Sequence, residues 1–493
     1  MRPRRKAAVF AVGLLLAAGA AKAGPWDLPA EGACGPGDAL AGFPLGQDAP
    51  PVPFSPGEVV TSKQISVLEH FLPDAIWQHR EKFFYEGMRL EIGPCFRDYS
   101  PPGFFQAATR KFAGQARLSH DGGLENHTAG LPFAPAQLAA DDPDVGQKWA
   151  WNFARRYQGG GMFSDDFRIS DLVGRIGRAE PFIGSVFKIE MSNRADQAAK
   201  GYHAKGARSL QWVAGGKFER PQAAREFAWR QYRDVENQVE VGRSDDLHAY
   251  LPEWRRVRRL NAALVEGLYL PSFSVGTVPA KTLAVGGGAA AGAGAGVGGL
   301  GGLGGSVGGA LQTKRSGFEG LEARPNLYEN RVLGVQDVLA PVNAATPMYP
   351  EAKERAFGPW GLSFASDRWD LRRALVLEGR AKDVPGGRHT ARFIRYVDLQ
   401  TLHPLYYAAY DARGELTDLG MFVGRWSEDR PDYPHWPDDA ERPVRVIDSV
   451  GAAFANLAEA GSWRRESWTM RAIPPPDGKI RKLISVGNLT KGR

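Results

Sequence analysis

Five stretches of this chain alternate with a period of two while carrying large apolar side chains on both faces. They are Phe182–Met191, the run Leu371–Leu377 ahead of Glu378, Arg392–Val397, Leu405–Tyr410 and Leu416–Val423. Period two is the strand period. In the first stretch Ile183, Phe187, Ile189 and Met191 share a face; in the second, Leu371, Leu375 and Leu377 do. In the third, Ile394 and Tyr396 alternate with Phe393 and Val397. Asp411-Ala412-Arg413-Gly414 reads as the turn of an antiparallel meander. A sheet apolar on both faces must be covered on both, or must wrap around something. The chain has the material for that: 43% of its 493 residues are hydrophobic and 24% charged, which excludes a mainly disordered protein.

Helical signals flank the strands. Thr61 and Gln64 have capping-box spacing ahead of Ile65, Leu68 and Leu72, and Asp74 opens a second helix carrying Ile76, Arg80 and Phe83, with Gly87 as its stop. A third runs from Pro143 to Tyr157, capped by Asp142, with Val145, Trp149 and Phe153 as its apolar stripe. The spacing of Val450, Phe454 and Leu457 between Asp448 and Gly461 predicts a last helix over 449–460. Between Ala284 and Ala310 the chain is almost all Gly and Ala without charge, a flexible insertion.

Of the 62 Lys and Arg, five (Arg2, Arg4, Arg5, Lys6 and Lys22) lie in the first 23 residues, leaving 57 against 55 acids. A chain that near neutrality gives no bulk argument for nucleic-acid binding. The basic start, the apolar run Ala7–Ala20 and Ala21-Lys22-Ala23 read as a secretory signal cleaved after Ala23. Export into an oxidising compartment permits a Cys34–Cys95 disulfide; two free thiols are the alternative.

Catalytic and metal motifs are weak. Gly294, Gly296 and Gly299 fit a dinucleotide fingerprint, and Gly304-Gly305-Ser306-Val307-Gly308 fits a nucleophile elbow, but so glycine-dense a tract matches either by chance. The nine histidines form no metal signature, and no cofactor is expected. Arg255, Arg256, Arg258 and Arg259, after Tyr250-Leu251-Pro252, read as a strand with arginines on both faces. They suit an anionic head group or membrane, or a solvated face with ion pairs.

The order of Ala129-Gly130-Leu131-Pro132-Phe133, Asp141-Asp142-Pro143-Asp144, Lys148-Trp149-Ala150-Trp151-Asn152 and Arg155-Arg156-Tyr157 resembles a family of exported Gram-negative proteins, domain of unknown function 1329. Gly317-Phe318-Glu319-Gly320-Leu321 and Leu339-Ala340-Pro341-Val342-Asn343 agree with it. That family is similar to the LolA/LolB lipoprotein carriers. The resemblance implies an α+β fold: a strongly curved antiparallel sheet, an unclosed half-barrel, with helices covering its concave face. It also implies company with export-type transporters, and no enzymatic activity is established for the family. The expected organisation is a leader over 24–60, one domain over 61–462 and a C-terminal tail over 463–493. The expected function is a periplasmic carrier of a lipid or other hydrophobic ligand, working with an inner-membrane transporter or an outer-membrane protein. Its cavity would be lined by Ile183, Phe187, Ile189, Leu375, Leu377, Ile394, Tyr396 and Tyr407. An accessory subunit of an envelope complex and a hydrolase of a hydrophobic substrate are the alternatives.

Overall fold

Each of the five period-two runs forms a strand, and the sheet they build stays open. The computed structural model describes residues 24–45, 47, 49–173, 177–178, 181–197, 209–260, 266–270, 320–345, 364–383, 390–436, 439, 441–457, 462–467, 472–473 and 476–491. The signal-like stretch 1–23 and the Gly/Ala tract 284–310 lie outside the described residues.

In chain order the strands are β1 (Val59–Thr61), β2 (Arg89–Cys95), β3 (Arg117–Leu118), β4 (Leu124–Glu125), β5 (Gly161–Val173), β6 (Gly177–Arg178), β7 (Phe182–Glu190), β8 (Leu210–Arg220) and β9 (Ala228–Asp234). They continue with β10 (Asp246–Leu251), β11 (Arg256–Leu260), β12 (Tyr328–Ala340), β13 (Arg368–Ala381), β14 (Arg392–Asp398), β15 (Pro404–Tyr410), β16 (Leu416–Trp426), β17 (Ile447–Asn456) and β18 (Ser462–Ser467). The α-helices are α1 (Asp74–Gln78), α2 (Gly103–Lys111), α3 (Val145–Ala154) and α4 (Asp477–Leu483).

Sixteen strands form one sheet. Its long path runs β13-β14-β15-β16-β17-β18-β5-β7-β8-β9-β10-β11. Along one edge β13 pairs with β12; along the other it pairs with β2 at Arg368–Leu371 and then with β14 from Ala374. The β2–β13 pair is parallel and the other pairs are antiparallel. At the far end β11 has β10 as its one strand partner among the described residues, and the sheet is not closed into a barrel. It is nevertheless curled. Phe218 on β8 and Trp229 on β9 share one packed cluster with Phe393 on β14, Tyr407 on β15 and Phe422 on β16, although several strands separate them along the sheet. The face that carries this cluster is the inner face.

The outer face is covered by the two ends of the chain. On β13–β17 the 52–99 segment packs Phe54, Leu68, Phe71 and Ile76 against Val376, Tyr406, Met421 and Val450. The capping box at Thr61 and Gln64 forms, but it opens a 3-10 helix (Ser62–Phe71) rather than an α-helix. Cys34 and Cys95 are joined in a disulfide, Cα atoms 5.9 Å apart, which ties the leader to β2. The leader is extended yet anchored: Val52 and Phe54 are buried, and Asp337 on β12 accepts from the Ala41 N–H at 2.7 Å.

Two expectations are corrected. Residues 447–456 form strand β17, not a helix. Val450, Ala453 and Ala455 enter the outer cluster while Ala452 and Phe454 enter the inner one. A strand buried on both faces shows no alternation, so a helical period fits its sequence by accident. The described part of 463–493 is not a tail. Strand β18 bridges β17 and β5 in the middle of the sheet, and α4 buries Ile480 against Phe187, Ile189 and Val213. Helices therefore lie on both faces. Among the described α-helices, α3 covers the inner one, packing Trp149 and Phe153 on Leu375, Leu377 and Val397.

Candidate functional site

The eight residues expected to line one cavity divide between the two faces. Leu375 and Leu377 lie under α3, and Tyr407 lies in the shared aromatic cluster, all on the inner face. Ile394 and Tyr396 point the other way, against the 52–99 segment; β14 presents Phe393, Arg395 and Val397 inward instead. On β7 the same reversal holds. Phe187 and Ile189 lie under α4, and half-buried Ile183 shares their side of the strand, while Phe182, Val186, Lys188 and Glu190 occupy the other side. Both faces of these strands are buried, so period two does not identify the interior one, and the inner face carries the charges.

Those charges build an ionic centre beside the aromatic cluster. Lys188, 1% exposed, bridges Glu190 at 2.6 Å and Glu322 at 3.1 Å and donates to Gln158 Oε1 at 2.9 Å. Glu322 also accepts from Gln158 Nε2 at 2.7 Å and from Arg156 Nη2 at 3.3 Å. Burial works to raise the Glu322 carboxyl, but Lys188 and Arg156 outweigh it and hold it below its usual range. Arg233 makes a two-pronged pair with Asp245 at 2.9 and 2.8 Å. Arg395, 1% exposed at its side chain, reaches Glu266 Oε1 at 3.5 Å, and the Tyr328 hydroxyl donates to the other oxygen of Glu266 at 2.9 Å.

The centre holds six cations: Arg155, Arg156, Lys188, Arg233, Arg324 and Arg395. Among the described residues four carboxylates answer them: Glu190, Asp245, Glu266 and Glu322. Burial lowers the Arg155 guanidinium to about 10, with Arg233 adding to the effect, and burial and Arg233 do the same to Arg324. Among the described residues the Nε of Arg155 and Arg395, and the Nε and Nη1 of Arg324, are buried without an acceptor. One aromatic ring links two of the cations: the guanidinium carbons of Arg156 and Arg395 each lie 4.4 Å from the Phe153 ring centroid. Arg395 also lies 4.5 Å from the Phe393 ring and 5.6 Å from Tyr407, so it stands where the ionic centre meets the aromatic cluster.

The chain itself covers the aromatic face. Leu268, Leu270, Leu321 and Leu327 pack into the cluster. Gly320, at φ +77°, brings its segment so close that a Cβ would meet the Tyr407 and Phe422 rings at 2.9 and 3.0 Å. At the end of the centre a cavity of about 30 Å³ is lined by Arg156, His403, Asp448 and Ser449 among others. It has room for a water or two, not for an acyl substrate. Burial, with Arg156 beside it, pushes His403 down to about 3, so its imidazole is neutral. Burial lifts Asp448 to about 7. None of these groups takes a functional role from the sequence alone, and apart from the neighbouring Lys188 and Glu190 their ion-pair partners lie far along the chain or outside their own strand. Among the described residues no cluster of His, Cys, Asp and Glu suits a metal ion.

The expected arginine strand is β11, and it is the edge of the sheet. Arg256 and Arg258 pair across from Leu251 and Ala249, which places them on the inner side; Arg259 lies on the other and pairs with Asp246 at 2.6 Å. Arg255 stands outside the strand at φ 49°. Exposed arginines along an edge strand discourage another strand from adding there.

Three solved structures are similar in part. A domain described as of outer membrane lipoprotein-sorting type, from Vibrio parahaemolyticus, is 12% identical over 70% of this chain and 99% of its own, with a TM-score of 0.37. A DUF1329 family protein from Desulfovibrio piger is 12% identical over 70% and 98%, with a TM-score of 0.38. A LolA superfamily protein from Nitrosomonas europaea is 10% identical over 66% and 91%, with a TM-score of 0.30. No curated protein matches. The family described as "Protein of unknown function (DUF1329)" matches residues 59–267 and 307–438, well over half of the chain, and the protein belongs to it.

Proposed function

We propose that this protein binds or carries a lipid-like hydrophobic ligand in the cell envelope, after export and removal of residues 1–23, in company with an envelope transporter or outer-membrane protein. The observation that carries the reading is the inner face: an aromatic cluster shared by both arms of an open sheet and covered by four leucines of segments 266–270 and 320–327. Uncovering four leucines costs roughly 6–12 kcal/mol at about 1.5–3 kcal/mol each, and each methylene of an entering chain returns about 0.8. A chain of roughly 8–15 methylenes offsets that cost. Arg256 and Arg258, at the inner side of the sheet edge, are proposed to meet a head group or membrane surface during entry. Among the described residues no helix is long and apolar enough to cross a membrane.

The test is native mass spectrometry of the mature protein purified gently from its host, followed by organic extraction. A stoichiometric lipid-sized adduct, lost on extraction and regained on adding the lipid, supports the reading. A bare polypeptide that takes up neither fatty acids nor phospholipids defeats it. Close packing of the inner face favours a second reading, an accessory subunit whose interior is simply filled. Deleting 284–310 then abolishes assembly with its partner, whereas the carrier reading leaves lipid uptake intact.

A further inference from the structure

We infer that the ligand is an anionic amphiphile, and that the ionic centre is the site for its acidic head, a carboxylate or a phosphate. This rests on the carrier reading and names the chemistry of its ligand. The segment 266–270 already imitates such a molecule. Its Glu266 carboxylate lies on Arg395 and accepts from Tyr328, while Leu268 and Leu270, two and four residues on, enter the aromatic cluster. Acid head and apolar arm thus occupy the two halves of one surface, joined at Arg395, which touches Phe153 on the ionic side and Phe393 and Tyr407 on the aromatic side.

The centre also has room in its charge and its donors for a further anion. Its six cations exceed its four described carboxylates by two. Arg395 meets Glu266 only at 3.5 Å and among the described residues keeps its Nε without an acceptor, as Arg155 does and as Arg324 does at two nitrogens. Charge-assisted bonds from a guanidinium to a carboxylate or phosphate are short and two-pronged when the anion is free to align. An acidic head that replaces Glu266 on Arg395 gains that geometry. Its tail then follows the path that Leu268 and Leu270 leave.

The test compares three probes with one tail, hexadecanoate, hexadecyl phosphate and hexadecan-1-ol, by displacement of neutral N-phenyl-1-naphthylamine from the mature protein. Either acid is expected to bind at least tenfold more tightly than the alcohol, and the order of the two acids names the head. Arg395→Gln should erase the preference, leaving alcohol binding in place. Arg395→Lys should keep part of it, and Glu266→Gln should strengthen acid binding by freeing Arg395. Equal binding of alcohol and acids to the unmodified protein, a comparison that needs no variant to fold, overturns the inference while the carrier reading stands. Binding of none of the three removes the carrier reading itself.

Discussion

Replacing Glu322 by Gln tests whether the ionic centre holds the inner face together. Glu322 is buried and meets Lys188 at 3.1 Å, Arg156 at 3.3 Å and the Gln158 amide at 2.7 Å. Glutamine keeps the shape and one acceptor but removes the charge that Lys188 and Arg156 share, while Arg156 keeps its backbone acceptors at Phe153 and Leu321. Breaking a buried pair on one side costs about 3–5 kcal/mol, and the retained acceptor places this variant near about 3. Urea denaturation at pH 7 measures the difference. The pH dependence fixes its origin. Glu322 is held below the ordinary value of 4.5, so the stability it contributes is complete above that value and is lost as pH falls through the lower folded one. The gap between the protein and Glu322→Gln should therefore be constant from pH 8 to about 5 and narrow below about 4.5. A Lys188→Met partner variant closes a double-mutant cycle, with an expected coupling of about 0.5–3 kcal/mol. A cost under about 1 kcal/mol at pH 7, or a gap unchanged down to pH 3, would refute the argument.

Three further outcomes are expected. Removing the disulfide with Cys34→Ala and Cys95→Ala, which opens a loop of 61 residues, should cost about 4 kcal/mol on the chain-entropy account; equal stability with and without reductant in the unmodified protein counts against it. Ile480→Ala should cost about 2–5 kcal/mol by leaving a cavity over Phe187, Ile189 and Val213, and a near-neutral denaturation curve would show that α4 does not seal that face. Asp448 is raised by burial to about 7, so its charging destabilises the fold as pH rises from about 3.8 to 7. Thermal scans of Asp448→Asn should then gain on the unmodified protein across that window and run parallel above it; parallel curves throughout contradict the assignment.

Much of the architecture is legible in local pattern. The strands at 182–190, 392–398, 404–410 and 416–426 announce themselves by period and by the turn after Asp411, and α3 by its Val145, Trp149 and Phe153 stripe. Pattern fails where both sides of an element are buried. In β17 apolar residues fill both faces, so the strand period vanishes and a helical one takes its place. In β18 the short run Ser462–Ser467 draws its order from neighbours on both sides, β17 and β5, rather than from its own sequence.

The candidate site shows the same division more sharply. A signal for it exists in the sequence: Lys188 and Glu190 on one face of a strand, and Arg395 among Phe393 and Tyr396. Taken alone, such charges read as the solvated side of a strand, and period two by itself does not say which face of β7 is interior. The sequence by itself determined that the sheet is apolar on both faces, that it is antiparallel in its long meander, and that both faces need covering. Only the tertiary structure decided which face is interior. Arg395 finds Glu266, Arg156 finds Glu322, and Lys188 finds Glu322 across more than a hundred residues of chain. A buried charge is tolerable only with its partner, and the partner is a property of the fold.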